Sequence, residues 1–309
     1  MLPLLPYCTL PYARKELPGW GRLLRFTKVM CSAHDPRWKD APTVTTRGKN
    51  HGYLMRLDLS NWSQRLTYFL GRYYEHGVQK VLDLALTPGA RFVDIGANIG
   101  MITLHARALV GARGYVDAFE PNPECCALIR THLAINGIDN VTLHACGLSD
   151  QADELLLNLT SDHSGTATLA PVGDVKRSIA VKVGVADELL APQPPVDVIK
   201  IDVEGFELRV LNGLTRILEN DRPIVITELI EAQLNRAATT VADVSAFLQS
   251  RGYAAFGIGC VRRGLQHDLK LYHGGQGCSD VVWVHPQSTV APTFMAYVTA
   301  AQMARPTAH

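Results

Sequence analysis

The sequence predicts an α/β fold: a mostly parallel sheet with helices on both faces, preceded by an N-terminal extension. Three observations carry this. From residue 91 onward, short apolar stretches alternate with helix-length amphipathic segments. The apolar stretches are nearly continuous, as strands buried on both faces require. The first of them runs into a glycine-rich turn, "FVDIGANIG" at 92–100, which is how many nucleotide-binding units begin.

The elements follow in order. Residues 1–50 are rich in proline and basic residues and read as an irregular arm with a short helix near 20–31. "HGYLMRLDLSNW" at 51–62 reads as a strand, so 1–62 form an arm and strand suited to a lid or an oligomer contact. Leu66, Phe69, Leu70, Tyr73, Tyr74, Val78, Val81 and Leu82 fall at helical spacing and predict one helix over 63–86, ended by "TPG". Strands are predicted at 91–96, 114–120, 140–148, 196–202, 223–229, 253–259 and 280–286, with helices at 98–110, 122–136, 205–219 and 240–251 between them. The alternation lapses over about 150–195, where short strands make a β insertion that can wall a cleft or protect an edge. The tail, 287–309, reads as a packed-back helix or a loose end.

Composition narrows the function. The chain has 309 residues, 47% hydrophobic and 19% charged, enough for one large domain with an extension. Thirty basic residues against 29 acidic give a net charge of +1, so no nucleic-acid partner is expected. Seven cysteines, an odd number with no C-x-x-C pair, fit a reducing, cytoplasmic setting. The start is broken by Pro3, Pro6 and Pro11 and does not read as a signal peptide, and no run of eighteen apolar residues predicts a membrane span.

Ligands of open α/β sheets bind beyond the carboxyl ends of the strands. Asp94, Glu120, Asp202 and Glu228 stand at four such ends. Four carboxylates suit hydroxyls and positive charge and would repel a pyrophosphate. Gly96 and Gly100, with Ala97 and Asn98 between them, let the backbone approach a ligand. The helix start that follows can hold a carboxylate. Glu120 lies where an acid can accept from both ribose hydroxyls. Pro121 and Asn122 open the next helix, and Gly147, Leu148 and Ser149 could flank an adenine. A ribose, an adenine, a carboxylate and a positive centre together describe S-adenosylmethionine. The rivals are an NAD-dependent oxidoreductase, disfavoured by Asn98 in place of a middle glycine, and a cofactor-binding scaffold without catalysis.

"VDIGANIG", "AFEPNP", "VDVIKIDVEGFELRVLNG" and "PIVITEL" resemble the FkbM-type methyltransferase family over roughly residues 65–260. The resemblance implies the seven-stranded, Rossmann-like class I methyltransferase sheet, its last strand antiparallel, over 63–286. It implies S-adenosylmethionine as cofactor and O-methylation of a hydroxyl on a sugar or secondary metabolite. N-methylation of a protein or small molecule is the milder alternative. By the same resemblance Asp94, Gly96, Asn98 and Gly100 are glycine-loop contacts, Glu120 is the ribose ligand, and Asp202 and Glu204 lie beside the reacting methyl.

Catalytic candidates come from the same strand ends. Lys200 shares a face with Asp202 in a buried strand, so it must pair with Asp202, Glu204 or Glu228 or reach the cleft, where it could hold or deprotonate the acceptor. His163, in the polar loop "SDHSG", is the histidine expected as general base. Asp202, Glu228 and Glu204 could instead ligate Mg²⁺, a reading the sequence permits but does not favour. The expected partner is a small-molecule or saccharide acceptor, with a homo-oligomer open through the arm.

Overall fold

A computed structural model describes residues 4–30, 37–160, 164–263, 266–275, 277–289 and 292–303. Strands are β1 (Thr43–Arg47), β2 (Leu54–Asp58), β3 (Arg91–Ile95), β4 (Tyr115–Phe119), β5 (Val141–His144), β6 (Gly147–Leu148) and β7 (Asp153–Leu159). They continue with β8 (Ala167–Thr168), β9 (Arg177–Gly184), β10 (Val198–Ile201), β11 (Ile224–Glu228), β12 (Ala254–Arg263), β13 (Gln266–His273) and β14 (Asp280–Val284).

The main sheet, among the described residues, has eight strands in the order β13-β12-β14-β11-β10-β3-β4-β5. Strands β11, β10, β3, β4 and β5 are parallel. β14 runs antiparallel between β11 and β12, as the last strand was expected to. β13 is an eighth strand, absent from the seven predicted; it extends β12 as an antiparallel hairpin. Chain order reverses between β3 and β10, and that reversal opens a crevice at their carboxyl ends.

The apolar strands divide their side chains between two cores. Phe92, Val198, Ile226 and Val282 pack on one face. Val93, Ile95, Ile199, Ile201 and Trp283 pack on the other. Every residue of β3 and β10 is buried, which is why apolar residues fall on both faces of each strand; the exceptions, Arg91, Asp94 and Lys200, are buried charged groups. The tail helix Pro292–Met303 returns to the first core through Phe294 and Val298.

The helix predicted over 63–86 is two helices, Trp62–Leu70 and His76–Ala85. Gly71 ends the first in the left-handed region, φ 69°, and the amphipathic pattern simply resumes after the break. The helix expected over 205–219 is likewise split, into Glu207–Asn212 and Thr215–Asn220. The strand expected over 51–62 is the shorter β2, which pairs with β1 in a separate hairpin. The arm holds three short helices, Leu4–Cys8, Leu10–Arg14 and Trp20–Phe26. They make a third core, in which Leu24 and Trp38 meet Leu66 and Phe69. Strands β6 to β9 form a small sheet of their own, in the order β6-β9-β7-β8.

Candidate active site

The glycine loop is shaped by contacts that leave no freedom in residue choice. A Cβ on Gly96 would sit 1.8 Å from the carbonyl oxygen of Asp202, and its φ is +78°. Asn98 also has a positive φ, 51°, which asparagine tolerates better than most residues. The amides of Gly96 and Ala97 both donate to the Phe119 carbonyl at 3.0 Å, which ties the loop to the end of β4. Gly100, φ +82°, then starts the helix Met101–Val110.

Glu120 anchors the other side. Its carboxylate accepts the Asn98 amide at 2.7 Å and the Asn122 amide at 2.8 Å. Burial pushes its pKa up to about 7, against the pull of those two amides. A cleft of about 610 Å³ opens beside it, with Phe119, Pro121, Leu148 and Leu169 as apolar walls and Glu120 and Asp202 as acids. Leu157, Gly165, Ala167 and Leu169 of the β6–β9 insertion form its far wall. A smaller cavity of about 250 Å³ lies across Gly96, bounded by Tyr73, Met101, Lys200 and Asp202. Gly96, Asn98 and Asp202 border both spaces.

Register builds the charged floor. Lys200 lies opposite Asp94 across β10 and β3, and Glu228 lies opposite Asp280 across β11 and β14. The Lys200 ammonium sits 3.0 Å from Asp202 Oδ2 and 3.8 Å from Asp94 Oδ1, and it donates to the Gly96 carbonyl at 3.2 Å. Burial disfavours its charge, but Asp202, Asp94 and Glu75 outweigh burial and raise its pKa. Around it the acids crowd one another. Burial, then Asp202 and Glu75, pushes Glu228 up to about 9. Burial, then Asp202, pushes both Glu75 and Glu204 up to about 8. Asp280 rises to about 6 for the same two reasons.

The turn after β10 is held open by its own hydrogen bonds. Glu204 has φ 56°, a conformation costing of order 1 kcal/mol for a residue with a side chain. Glu207 Oε1 accepts the amides of Gly205 at 3.1 Å and Val203 at 3.3 Å. Thr168 Oγ1 donates to the Glu204 carbonyl at 2.8 Å, and the Gln233 side-chain amide donates to its carboxylate. The turn is therefore clasped between the insertion and the segment after β11.

A family model described as the methyltransferase FkbM domain matches residues 94–255, the stretch that carries this loop, cleft and floor. The chain belongs to the FkbM methyltransferase family. A methyltransferase named sdnD from Sordaria araneosa is 31% identical to it, covering 49% of this chain and 74% of that protein. The 31-O-demethyl-FK506 methyltransferase FkbM of Streptomyces tacrolimicus is 27% identical, covering 59% and 76%. The hexuronic acid methyltransferase AglP of Haloferax volcanii is 30% identical, covering 43% of this chain and 53% of that protein.

The geometry fits the S-adenosylmethionine of this family of enzymes. Gly96 packs directly on the Asp202 carbonyl, which brings the glycine loop and the end of β10 together, and it borders both spaces. An apolar-walled cleft on one side suits a nucleoside, with the Glu120 carboxylate at its wall. The cavity on the other side, bordered by Asp202, suits the amino-acid end and places a negative side chain near a sulfonium.

Other sequence candidates fall in different places. Pro121, Gly147 and Leu148 line the cleft. Ser149 is not among the lining residues: its amide donates to Gly184 and its hydroxyl to Asp150. Asn122 caps the helix Pro123–Asn136, accepting the Glu124 amide. Asp94 is fully buried behind the loop, where Oδ2 accepts from Thr103 Oγ1 at 2.6 Å and Oδ1 has no hydrogen-bond partner among the described residues. His163 lies outside the described residues. Sequence reasoning missed Glu75, Asp280, Glu207 and Tyr73. Glu75 and Tyr73 were read as positions within one continuous helix, and Asp280 acquires meaning only from its register with Glu228.

Proposed function

We propose that this methyltransferase acts on a hydroxyl group, carried by a sugar or a secondary metabolite. The observation that carries the reading is the acid-lined floor where the two cavities meet. Its carboxylates can accept hydrogen bonds from a polyol and receive the proton that leaves it. Relatives support the same acceptor class, since one methylates a hexuronic acid and another a demethylated hydroxyl of FK506 by their names.

S-adenosylmethionine, when bound, supplies a methyl group already activated on sulfur. The chain's own residues do the rest. Glu120 accepts the ribose hydroxyls, and the glycine loop seats the amino-acid end. Lys200 holds Asp202 by its ion pair, so Asp202 is fixed for orienting the acceptor hydroxyl. The same pair keeps the Lys200 proton in place, which suits a positioning role and not a base. Glu204, with its pKa near 8, is matched to taking the hydroxyl proton at its carboxylate near neutral pH. The β6–β9 wall excludes water. Alignment of this kind is worth on the order of 7–11 kcal/mol.

A second reading rests on the ligand oxygens of Asp202, Glu204 and Glu228, which lie within 4.8 Å of one another and could hold Mg²⁺. Turnover that survives exhaustive EDTA treatment would remove it. The proposed function itself is tested by incubating the protein with isotopically labelled S-adenosylmethionine and a metabolite pool, then identifying the labelled product by mass spectrometry. A methyl group found on nitrogen, or no labelled product from any pool, would count against it.

A further inference from the structure

A second polar cavity lies apart from the methyl-transfer cleft. It is an open hollow spanning about 770 Å³ with its open mouth included, and is bordered by Lys49, Arg72, His76, Lys80 and His267, with Glu16 and Asp268 as its acids. It joins three parts of the chain: the N-terminal arm through Glu16, the start of the helix His76–Ala85, and strand β13. Arg72 grips Glu16 with two bonds, Nε to Oε1 at 2.8 Å and a terminal nitrogen to Oε2 at 2.9 Å. Lys49 also donates to Glu16, and His267 Nε2 lies 3.2 Å from its Oε2. The rings of His76 and His267 sit 4.7 Å apart. His76 Nδ1 is sealed from water and has no hydrogen-bond partner among the described residues.

Charge decides what such a cavity takes. Among the described residues that line it, three permanent cations, Lys49, Arg72 and Lys80, face two acids, Glu16 and Asp268; Lys80 also pairs with Asp83 outside the lining, at 3.2 Å. The described lining thus carries one surplus positive charge before the two histidines are counted. A divalent metal would add two positive charges beside Arg72 and Lys49 and compete with both for Glu16. A dianion instead complements that surplus, and its charge would offset the burial and the Arg72 guanidinium that otherwise oppose a proton on His76.

We propose that this cavity is an oxyanion site for a phosphate group, held by Lys80, Lys49, His76 and His267. Arg72 stands one residue before Tyr73, which borders the cofactor cavity, so an occupied site braces the loop that reaches the methyl-transfer floor.

The test uses the full chain and inorganic phosphate, with chloride at equal ionic strength as control. Phosphate is expected to raise the melting temperature above the chloride control and to bind by calorimetry. Lys80→Gln and His267→Gln are each expected to weaken that binding about tenfold, the size of one charge-assisted hydrogen bond. Unchanged binding of S-adenosylhomocysteine shows that the variants are folded. A sugar phosphate that competes with inorganic phosphate and is itself methylated assigns the site to the acceptor; phosphate binding without such competition assigns it to the free ion. Both support the site. The proposal is overturned if phosphate gives no more than chloride, if both variants bind it normally, or if Zn²⁺ binds through His267 where phosphate does not.

Discussion

Lys200 near the end of β10 and Asp202 just beyond it form a 3.0 Å ion pair that also reaches the glycine loop through the Gly96 carbonyl. This pair joins the cofactor loop to the reacting floor. Removing one partner from a buried pair leaves the other uncompensated, at a cost of about 3–5 kcal/mol. Lys200→Met is therefore expected to destabilise the protein by about 3 kcal/mol or more in urea unfolding. The double variant with Asp202→Asn should lose less than the two single losses added together. Additive losses would show that the pair contributes nothing.

Gly96 makes a sharper steric claim. A Cβ there would lie 1.8 Å from the Asp202 carbonyl oxygen, a backbone atom with no freedom to swing away. Gly96→Ala is expected to abolish S-adenosylhomocysteine binding in calorimetry and to lower stability by several kcal/mol, on the order of about 3. Gly173→Ala, where a Cβ meets nothing within 4 Å, is the matched control and should be close to neutral.

Glu120 is expected to act through its charge. Its two oxygens already hold the amides of Asn98 and Asn122, so it shapes the loop as well as facing the cleft. Glu120→Gln should weaken cofactor binding about tenfold or more, as loss of a charged acceptor implies. In the wild type, binding should also weaken as pH falls through about 7, because the protonated acid is the poorer acceptor. A flat affinity from pH 6 to 8 would argue against Glu120 as the ribose ligand.

The crowded floor predicts an unusual pH dependence of stability. Glu75, Glu204 and Glu228 have folded pKa values of about 8, 8 and 9, against an ordinary 4.5. Between those limits the folded state holds protons that the unfolded chain has released, so stability falls as pH rises. His51 and His76, lowered to about 4 and 3, act in the opposite sense, but only below their ordinary 6.5. The window from pH 7 to 9 isolates the carboxylates. Melting temperature in the absence of cofactor should drop across it, and Glu228→Gln should flatten the slope. A melting temperature that rises from pH 7 to 9 would contradict the proposed crowding.

Much of this arrangement was legible in the sequence, for physical reasons. Strands β3, β4, β10 and β11 announce themselves because both faces are largely buried, so apolar residues appear on both and only single polar residues interrupt them. Asp94, Glu120, Asp202 and Glu228 announced themselves as acids ending such runs. Local pattern failed where distant pairing decides. β13 has only Leu269 and Leu271 as buried apolar residues, and it exists because β12 offers it an edge. Asp280 ends no apolar run of its own; register alone sets it against Glu228. Helical periodicity continued across Gly71, so the interruption that frees Tyr73 and Glu75 from a helix could not be seen.

That interruption has a functional consequence that can be measured. Between Leu70 and His76 the chain leaves the helix, and Glu75 takes the position just before the second one begins. Its pKa is set by burial and then by Asp202, which places it in the field of the reacting floor and outside the nucleoside cleft. Glu75→Gln removes, without changing size, the negative charge that Glu75 takes on next to Asp202 as pH rises through about 8. The pKa values of Glu228 and Glu204, both raised in part by Glu75, should fall. Turnover is expected to drop about tenfold, equivalent to about 1.4 kcal/mol of barrier, with its pH profile moved toward acid. Cofactor affinity should stay within about twofold, since Glu75 does not border that cleft. Steady-state rates over pH 6 to 9 and calorimetry with S-adenosylhomocysteine separate the two effects. Equal losses of affinity and turnover would assign Glu75 to cofactor binding, and an unmoved pH profile would remove it from the floor altogether.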